Sequence, residues 1–283
     1  MKVDIFLEGG GIWGLAYLGA YKAISYAGLQ VDRVCGISVG SIVGSFMAVG
    51  FTANDLIDLL GYYPDFSFLK VKTPRANRPY IGKLLALLFN RGIYDSSAIE
   101  DFIEDICEKK GITTFEPLIS FGESRLKILA FDATMRKIIV LPDDLPKYGR
   151  KVEDFRISEA VRMSCAIPLY YTPYELKTEK KTNRIIDVGF IKRIPTNIMY
   201  QDRKLRKLTL RFGFQKDKGD RSHNRRYKSP WSSDELERYI VIPIDRSIGF
   251  KNFDLTKEQV LSLYKQGYRA CRNFLRDEFQ TNK

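Results

Sequence analysis

The sequence predicts an α/β fold, with a mainly parallel central sheet flanked by helices on both faces. Three observations carry that expectation. Strand-like apolar runs alternate with segments of helical period, the pattern that stacks helices against a parallel sheet. The first two strand-like runs each end in a glycine-containing turn that leads straight into an apolar helix. No repeat, linker or low-complexity stretch divides the 283 residues, a length sufficient for one sizeable core. A single domain over residues 1–283 is expected, with the basic segment and helix at 203–283 part of it or appended to it.

Val3–Leu7 reads as the first strand. Gly9, Gly10, Gly11 and Gly14 follow, and a helix then runs through Leu15, Ala16, Leu18, Ala20, Tyr21 and Ile24. Consecutive glycines ahead of a helix leave backbone N–H groups aimed at one point, backed by the positive end of the helix dipole. Such a nest suits a developing oxyanion. G-x-G-x-x-G after a first strand is also the dinucleotide fingerprint, which expects an acidic residue at the end of the second strand. Here Asp32 opens the second strand, Val31–Cys35, and the strand ends in Gly36-Ile37-Ser38-Val39-Gly40. The oxyanion reading is preferred.

A serine between two glycines on a strand-to-helix turn has the shape of a nucleophile elbow. The serine is held strained and exposed, and side chains at Gly36 or Gly40 would collide with the neighbouring strand or helix. Ser41–Val49 supplies the helix. The N–H groups of Gly9, Gly10 and Gly11, with that of Val39, are the candidate oxyanion donors. The serine also needs a base within hydrogen-bond reach. The chain has one histidine, His223, in the polar stretch Lys216–Arg226, which shows no apolar periodicity. The base should then be a carboxylate. Asp187 fits best, because it ends the run Arg184-Ile185-Ile186 and precedes Val188-Gly189; Asp132, Asp143 and Asp245 compete on position.

The remaining elements follow in order. Thr52–Leu56 opens a helix with a capping residue, and the proline-containing stretch 64–79 comes next. Tyr80–Phe89 is apolar almost all round, which a helix tolerates only when buried or against lipid. A fixed core helix is the first expectation for it, and a mobile lid over Ser38, hinged at Arg91-Gly92, the second. Ser97–Glu100 reads as a capping box opening a helix over Ile99–Lys109. Lys127–Phe131 and Lys137–Leu141 read as strands about a turn, and Lys207–Phe214 and Tyr239–Ile244 as two more. Thr256–Gln259 caps a last helix that puts Val260, Tyr264, Tyr268, Cys271 and Leu275 on one face.

With these residues in view, most of the chain resembles the patatin-like phospholipase family. Glu8–Gly14 with Ala16, Gly19 and Ala20 is similar to its glycine-rich oxyanion segment, and Gly36–Gly40 to its serine elbow. Arg91–Asp95 resembles the segment before a helix in small bacterial members. Ser158–Pro168 resembles the stretch before the catalytic aspartate, and Asp187-Val188-Gly189 the aspartate motif. The resemblance implies a three-layer α/β/α fold with Ser38 as nucleophile and Asp187 as the sole base. It implies phospholipase A or lysophospholipase chemistry on a phospholipid or lysophospholipid, through an acyl-serine intermediate, with no metal and no cofactor. Three positions depart from the family pattern. Trp13 stands where Lys or Arg is usual, Val188 where Gly is usual, and Arg193 where Asn often follows. These departures feed the alternative of a catalytically weak membrane- or partner-binding protein on the same fold.

The net charge is +12, and Arg203–Lys228 holds eleven Lys/Arg against two aspartates, with Phe212, Phe214, Tyr227 and Trp231 among or beside them. Basic residues with aromatics suit an anionic membrane surface or, less favoured here, a nucleic-acid backbone; a solvated loop is the plain alternative. Cys35, Cys107, Cys165 and Cys271 have no metal-binding or paired spacing and read as reduced core residues of a cytoplasmic protein, or one peripheral at the inner face of the membrane. The charged start, with Asp4 and Glu8 inside the first apolar run, does not read as a secretory signal. From the single histidine follows one test: His223→Ala should hydrolyse ester substrate at nearly the wild-type rate, and a large loss would remove the carboxylate base from the account.

Overall fold

The computed structural model describes residues 1–62, 66–179, 181–191, 194, 196–199, 207–215, 236–245 and 247–280. Pro64, Arg193, Pro195, His223 and the basic stretches 203–206 and 216–228, with Trp231, lie outside the described residues. The strands are β1 (Lys2–Leu7), β2 (Gln30–Ile37), β3 (Gly92–Tyr94), β4 (Ile119–Ser120), β5 (Glu123–Ser124), β6 (Leu126–Asp132), β7 (Lys137–Leu141), β8 (Leu169–Tyr171), β9 (Tyr174–Lys177), β10 (Thr182–Ile186), β11 (Thr209–Phe214) and β12 (Glu237–Ile242). The helices are α1 (Leu15–Tyr26), α2 (Val39–Ala48), α3 (Ala53–Tyr62), α4 (Gly82–Leu85), α5 (Ser97–Glu108), α6 (Ile157–Cys165) and α7 (Lys257–Gln280).

The central sheet is mainly parallel. Strands β12, β11, β1, β2 and β6 run side by side in one direction, and β10, β9 and β7 are antiparallel additions. Along β7 the whole of Ile128–Asp132 is paired, so β2 and β10 must share the other edge of β6. They meet there end to end. Ile37 of β2 is level with Leu129, and Ile186 of β10 is level with Phe131. One step further along each strand brings Ser38 and Asp187 to the same height, that of Ala130.

Alternation along the strands sorts their side chains onto two faces. Ile5, Leu7, Val34, Ile128, Leu210 and Phe212 face the large core with the α-helices, whereas Phe6, Cys35, Ile37 and Leu129 face a smaller cluster. That second cluster is closed by Val188, Ile194 and Met199, the last from the 3-10 helix Thr196–Met199. Helix α7 lies across α1 with Gly19 and Gly267 at the crossing; a Cβ there would stand 2.0 Å from Tyr264 O and 1.7 Å from Ala16 O. Only bare backbone fits. All four cysteines are buried and free, and no described helix is long and apolar enough to cross a membrane.

Helix starts follow the caps in part. Thr52 with Asp55, and Thr256 with Gln259, exchange reciprocal side-chain and backbone hydrogen bonds. The expected Ser97–Glu100 box does not form. Asp95 accepts the Ser97 N–H at 2.9 Å instead, and Glu100 turns away to Arg162 at 2.7 Å.

Two other expectations need correction. Tyr80–Phe89 is not a core helix. Helix α4 runs into a π-turn at Ala86–Asn90, with small Gly82 and Ala86 buried and Tyr80, Ile81, Leu84, Leu88 and Phe89 exposed. The residues that let the segment sit close to the protein are its smallest, so its largest face outward. Phe212 and Phe214, counted among the surface aromatics, lie in β11 between β1 and β12 and are buried; Arg211 beside them is buried as well.

The α1–α7 crossing yields a stability test. Gly267→Ala should lower stability by about 1–3 kcal/mol, the usual cost of forcing added volume into close packing, read as a fall in urea midpoint. An unchanged midpoint would mean that the helices can part at no cost.

Candidate active site

Ser38 occupies the turn between β2 and α2 with φ 54° and ψ −126°, a left-handed conformation that a side chain pays to adopt. The turn is held by contact on two sides. A Cβ on Gly36 would stand 2.3 Å from Gly40 O, and one on Gly40 would stand 2.3 Å from Leu7 O. Ser164, at the end of α6, locks the turn from the third side. Its hydroxyl accepts the Ser38 N–H at 2.8 Å and donates to Leu129 O at 2.6 Å, filling the place where β2 ends. The Ser41 hydroxyl donates to Ser38 O at 2.6 Å.

Asp187 arrives along the same edge of β6, with its N–H donated to Ala166 O at 3.0 Å. Its carboxylate accepts the Gly189 N–H at 2.6 Å, and the Ser38 hydroxyl acts on it as well, favouring the charged form. Ser38 and Asp187 are each only 6% exposed. Burial raises the Asp187 carboxyl to about 6, against the opposing pull of the Ser38 hydroxyl and the Gly189 N–H. Among the described residues no cation offsets that burial. The three competing aspartates are engaged elsewhere. Asp132 holds Tyr148, Asn183 and two loop N–H groups, Asp143 pairs with Lys127, and Asp245 caps Ser247.

The glycine loop stands beside the serine. Gly9 would bring a Cβ within 3.3 Å of Ser38 Cβ, and Gly11 has φ +56° with Phe250 O 2.1 Å from where its Cβ would be. The N–H groups of Gly9, Gly10, Gly11 and Val39 have no backbone acceptor among the described residues; Ile12 N–H, next in line, is already taken by Phe250 O at 2.9 Å. Trp13, where the family resemblance leads one to expect a cation, donates Nε1–H to Ile248 O at 2.7 Å and packs edge-on against Phe214 and Phe250. It pins the 248–250 loop over the glycines. Val188 is fully buried in the second cluster.

Sequence reasoning missed two supports. One is Ser164, quoted only as part of a longer stretch. The other is Arg211, 3% exposed on its side chain, which pairs with Glu8 at 2.7 Å and donates to Ile194 O at 2.8 Å. Glu8 precedes the glycine loop and Ile194 follows the aspartate, so one guanidinium ties the roots of both. The strand alternation that turns Arg211 to the opposite face from Phe212 was the available signal.

An apolar cavity runs from Ser38 between the helices. Ile42 and Phe46 of α2, Leu56 and Leu60 of α3 and Phe102 of α5 line it, and Phe66, Leu69 and Phe253 close it over. Phe66 N–H bonds to Phe253 O at 3.1 Å, so two of the lining segments are joined. No residue of 80–89 lines this cavity, which overturns the lid expectation for that segment. Cys165 borders it, but burial, and then the Asp187 charge, push its thiol up, so it offers no rival nucleophile.

The sequence model of the patatin-like phospholipases matches residues 5–200, from the first strand past the aspartate loop. The chain belongs to the patatin-like phospholipase family. It is 29% identical to the uncharacterized protein YqhO of Bacillus subtilis over 98% of this chain and 99% of that one. It is 32% identical to the lysophospholipase NTE1 of Saccharomyces cerevisiae over 42% of this chain, a match spanning 8% of that much longer protein. Among solved structures, VipD from Legionella pneumophila superposes with a TM-score of 0.54 at 17% identity, over 97% of this chain and 67% of that one. ExoU in its complex with SpcU, from the type III secretion system of Pseudomonas aeruginosa, gives 0.55 at 16% identity, over 99% and 53%. These likenesses show the patatin-like α/β fold, and family membership supports hydrolysis of lipid esters.

The raised Asp187 carboxyl gives a stability test. A carboxyl lifted from 3.8 to about 6 by the fold favours the native state most below pH 3.8, and that contribution is lost as pH rises through about 6. Asp187→Asn removes the burden of a buried charge while its amide oxygen can still accept the Gly189 N–H. The variant should therefore gain stability over wild type at pH 8, by up to about 3 kcal/mol at 1.36 kcal/mol per pKa unit, and much less at pH 4. An equal difference at both pH values would remove the raised carboxyl.

Proposed function

We propose that this patatin-like protein is a lipid acyl hydrolase that cleaves acyl esters of phospholipids or lysophospholipids through a serine–aspartate dyad. The observation that carries the reading is the strand register that brings Ser38 and Asp187 level on one edge of β6, with Ser38 also lining an apolar cavity. The cavity accepts the acyl chain and leaves the ester carbonyl at Ser38. Asp187 takes the Ser38 proton as Oγ adds to the carbonyl carbon. The oxyanion is met by N–H groups from Gly9, Gly10, Gly11 and Val39, and losing one such donor typically costs about 10²–10³ in rate. As the tetrahedral intermediate collapses, the C–O bond to the alcohol breaks and Asp187 returns the proton to the leaving oxygen. Water, deprotonated by the same carboxylate, then releases the fatty acid from the acyl-serine and restores Ser38. A carboxylate is a weak base at its ordinary value; burial that raises Asp187 to about 6 brings it closer to the pH at which it works.

Incubation with defined phospholipids and lysophospholipids, followed by acyl-chain-resolved mass spectrometry, tests the reading. Wild type should release free fatty acid, while Ser38→Ala and Asp187→Asn should each lose at least about 10³-fold, as removal of a nucleophile or its base does. The wild-type rate should fall as pH drops below about 6, where Asp187 takes up its proton. Full activity in either variant would end the dyad proposal.

A further inference from the structure

Residues 70–91 carry Lys70, Lys72, Arg75, Arg78, Lys83 and Arg91 and no carboxylate. Lys72, Arg75, Arg78, Lys83 and Arg91 are exposed, while Lys70 pairs with Asp254 at 2.6 Å. Within this cationic stretch the burial pattern is inverted. Gly82 and Ala86, one helical turn apart, face the protein, and Ile81, Leu84 and Leu88 lie on the outward side with Tyr80 and Phe89 at its two ends. Exposing one large apolar side chain is ordinary, but five on a ten-residue segment make a contiguous patch that marks an interaction site. We propose that residues 70–91 are a docking face for an anionic bilayer, with the apolar side chains entering the acyl boundary and the lysines and arginines held at the phosphate level.

The charge decides among partners. A second copy of the chain, joined by a two-fold axis, would place this cationic face against itself, which like-charge repulsion opposes. A nucleic-acid backbone would engage the cations but give Ile81, Leu84 and Leu88 nothing to bury against. An anionic lipid surface satisfies both sets at once. Placement agrees. Gly92, directly after the patch, pairs with Leu169, and Tyr94 with Tyr171. The Tyr171 hydroxyl donates to Leu69 O at 3.1 Å, and Tyr171 and Leu69 both line the cavity that leads to Ser38. Leu169 is itself exposed, with φ +67°. The docking face is thus bonded to the cavity wall, and lipid would be met beside the site that uses it. This deepens the lipid-hydrolase reading and rests on it for its purpose, but not for its test.

The test is co-sedimentation of the full chain carrying Ser38→Ala with phosphatidylglycerol/phosphatidylcholine vesicles and with phosphatidylcholine vesicles alone, so that no lipid is consumed. Two further sets of changes are added: Leu84→Ser/Leu88→Ser/Phe89→Ser, and Lys72→Gln/Arg75→Gln/Arg78→Gln/Lys83→Gln. Each should weaken partitioning onto the anionic vesicles by about tenfold or more, given the free energy of burying exposed apolar groups and of each basic residue near an anionic surface. High salt should reproduce the charge variant on the unsubstituted surface. Because these side chains are exposed, the melting temperature should hold and cleavage of a soluble short-chain ester by the corresponding Ser38-containing proteins should be unchanged. Undiminished binding in either variant overturns the proposal, as does loss confined to Arg225→Gln/Arg226→Gln/Lys228→Gln, or a dimer that the triple serine variant dissolves. A wild type that docks but releases no fatty acid would contradict the hydrolase reading and leave the docking face standing.

Discussion

The turn at Ser38 exists because Gly36 and Gly40 let strand β2, helix α2 and the end of β1 share one layer of contact. With 2.3 Å between each missing Cβ and a backbone oxygen, no substitution at either position leaves the three elements where they are. The rest of the site is a consequence of that crowding. Strand β2 must stop at Ile37, which frees the upper half of one edge of β6, and β10 takes it from the opposite direction. Two strands that end against each other on one strand edge bring their next residues together. Ser164 then satisfies the N–H and the carbonyl that the interrupted pairing leaves open. Strain at the serine is held by packing on three sides, which is the condition under which a left-handed residue persists.

The site also carries an electrostatic cost, the burial of the Asp187 carboxyl. Among the described residues no cation stands at buried Asp187, whereas other buried charges are paired: Arg211 with Glu8, Asp4 with Arg33 and Lys127 with Asp143. The paired groups hold loops in place, and Arg211 in particular joins the glycine loop to the aspartate loop. Breaking such a pair leaves an uncompensated buried charge and typically costs about 3–5 kcal/mol. Asp187, with no cation among the described residues, is the reverse case. It lowers stability at neutral pH and in return keeps a carboxyl whose affinity for a proton is raised, which is what the proposed role as base requires.

The elements that position the site were legible because each has a local physical signature. Glycines between strand and helix marked both the loop at Gly9–Gly11 and the turn at Ser38, and a single histidine in a polar stretch directed attention to a carboxylate. Thr52 and Thr256 announced their helices through caps that the fold then makes. What was not legible depends on partners distant in sequence. Ser97 and Glu100 have the spacing of a capping box, yet Arg162 from another helix competes for the glutamate. Phe212 and Phe214 sit in a basic run that reads as surface until β11 is placed between β1 and β12. Tyr80–Phe89 has a core composition, and only the burial of Gly82 and Ala86 shows which way its leucines face. The end-to-end meeting of β2 and β10 has no sequence signal, since register is a property of three strands together.

Activation of Ser38 by Asp187 is the proposal on which the rest of the function depends. Labelling with a fluorophosphonate, followed by peptide mass spectrometry, reads that activation directly and needs no knowledge of the lipid. A single adduct is expected on Ser38, with a rate of formation that rises with pH through about 6 and collapses in Asp187→Asn. Labelling of a different residue, or equal labelling of Ser38 in wild type and Asp187→Asn, would contradict it.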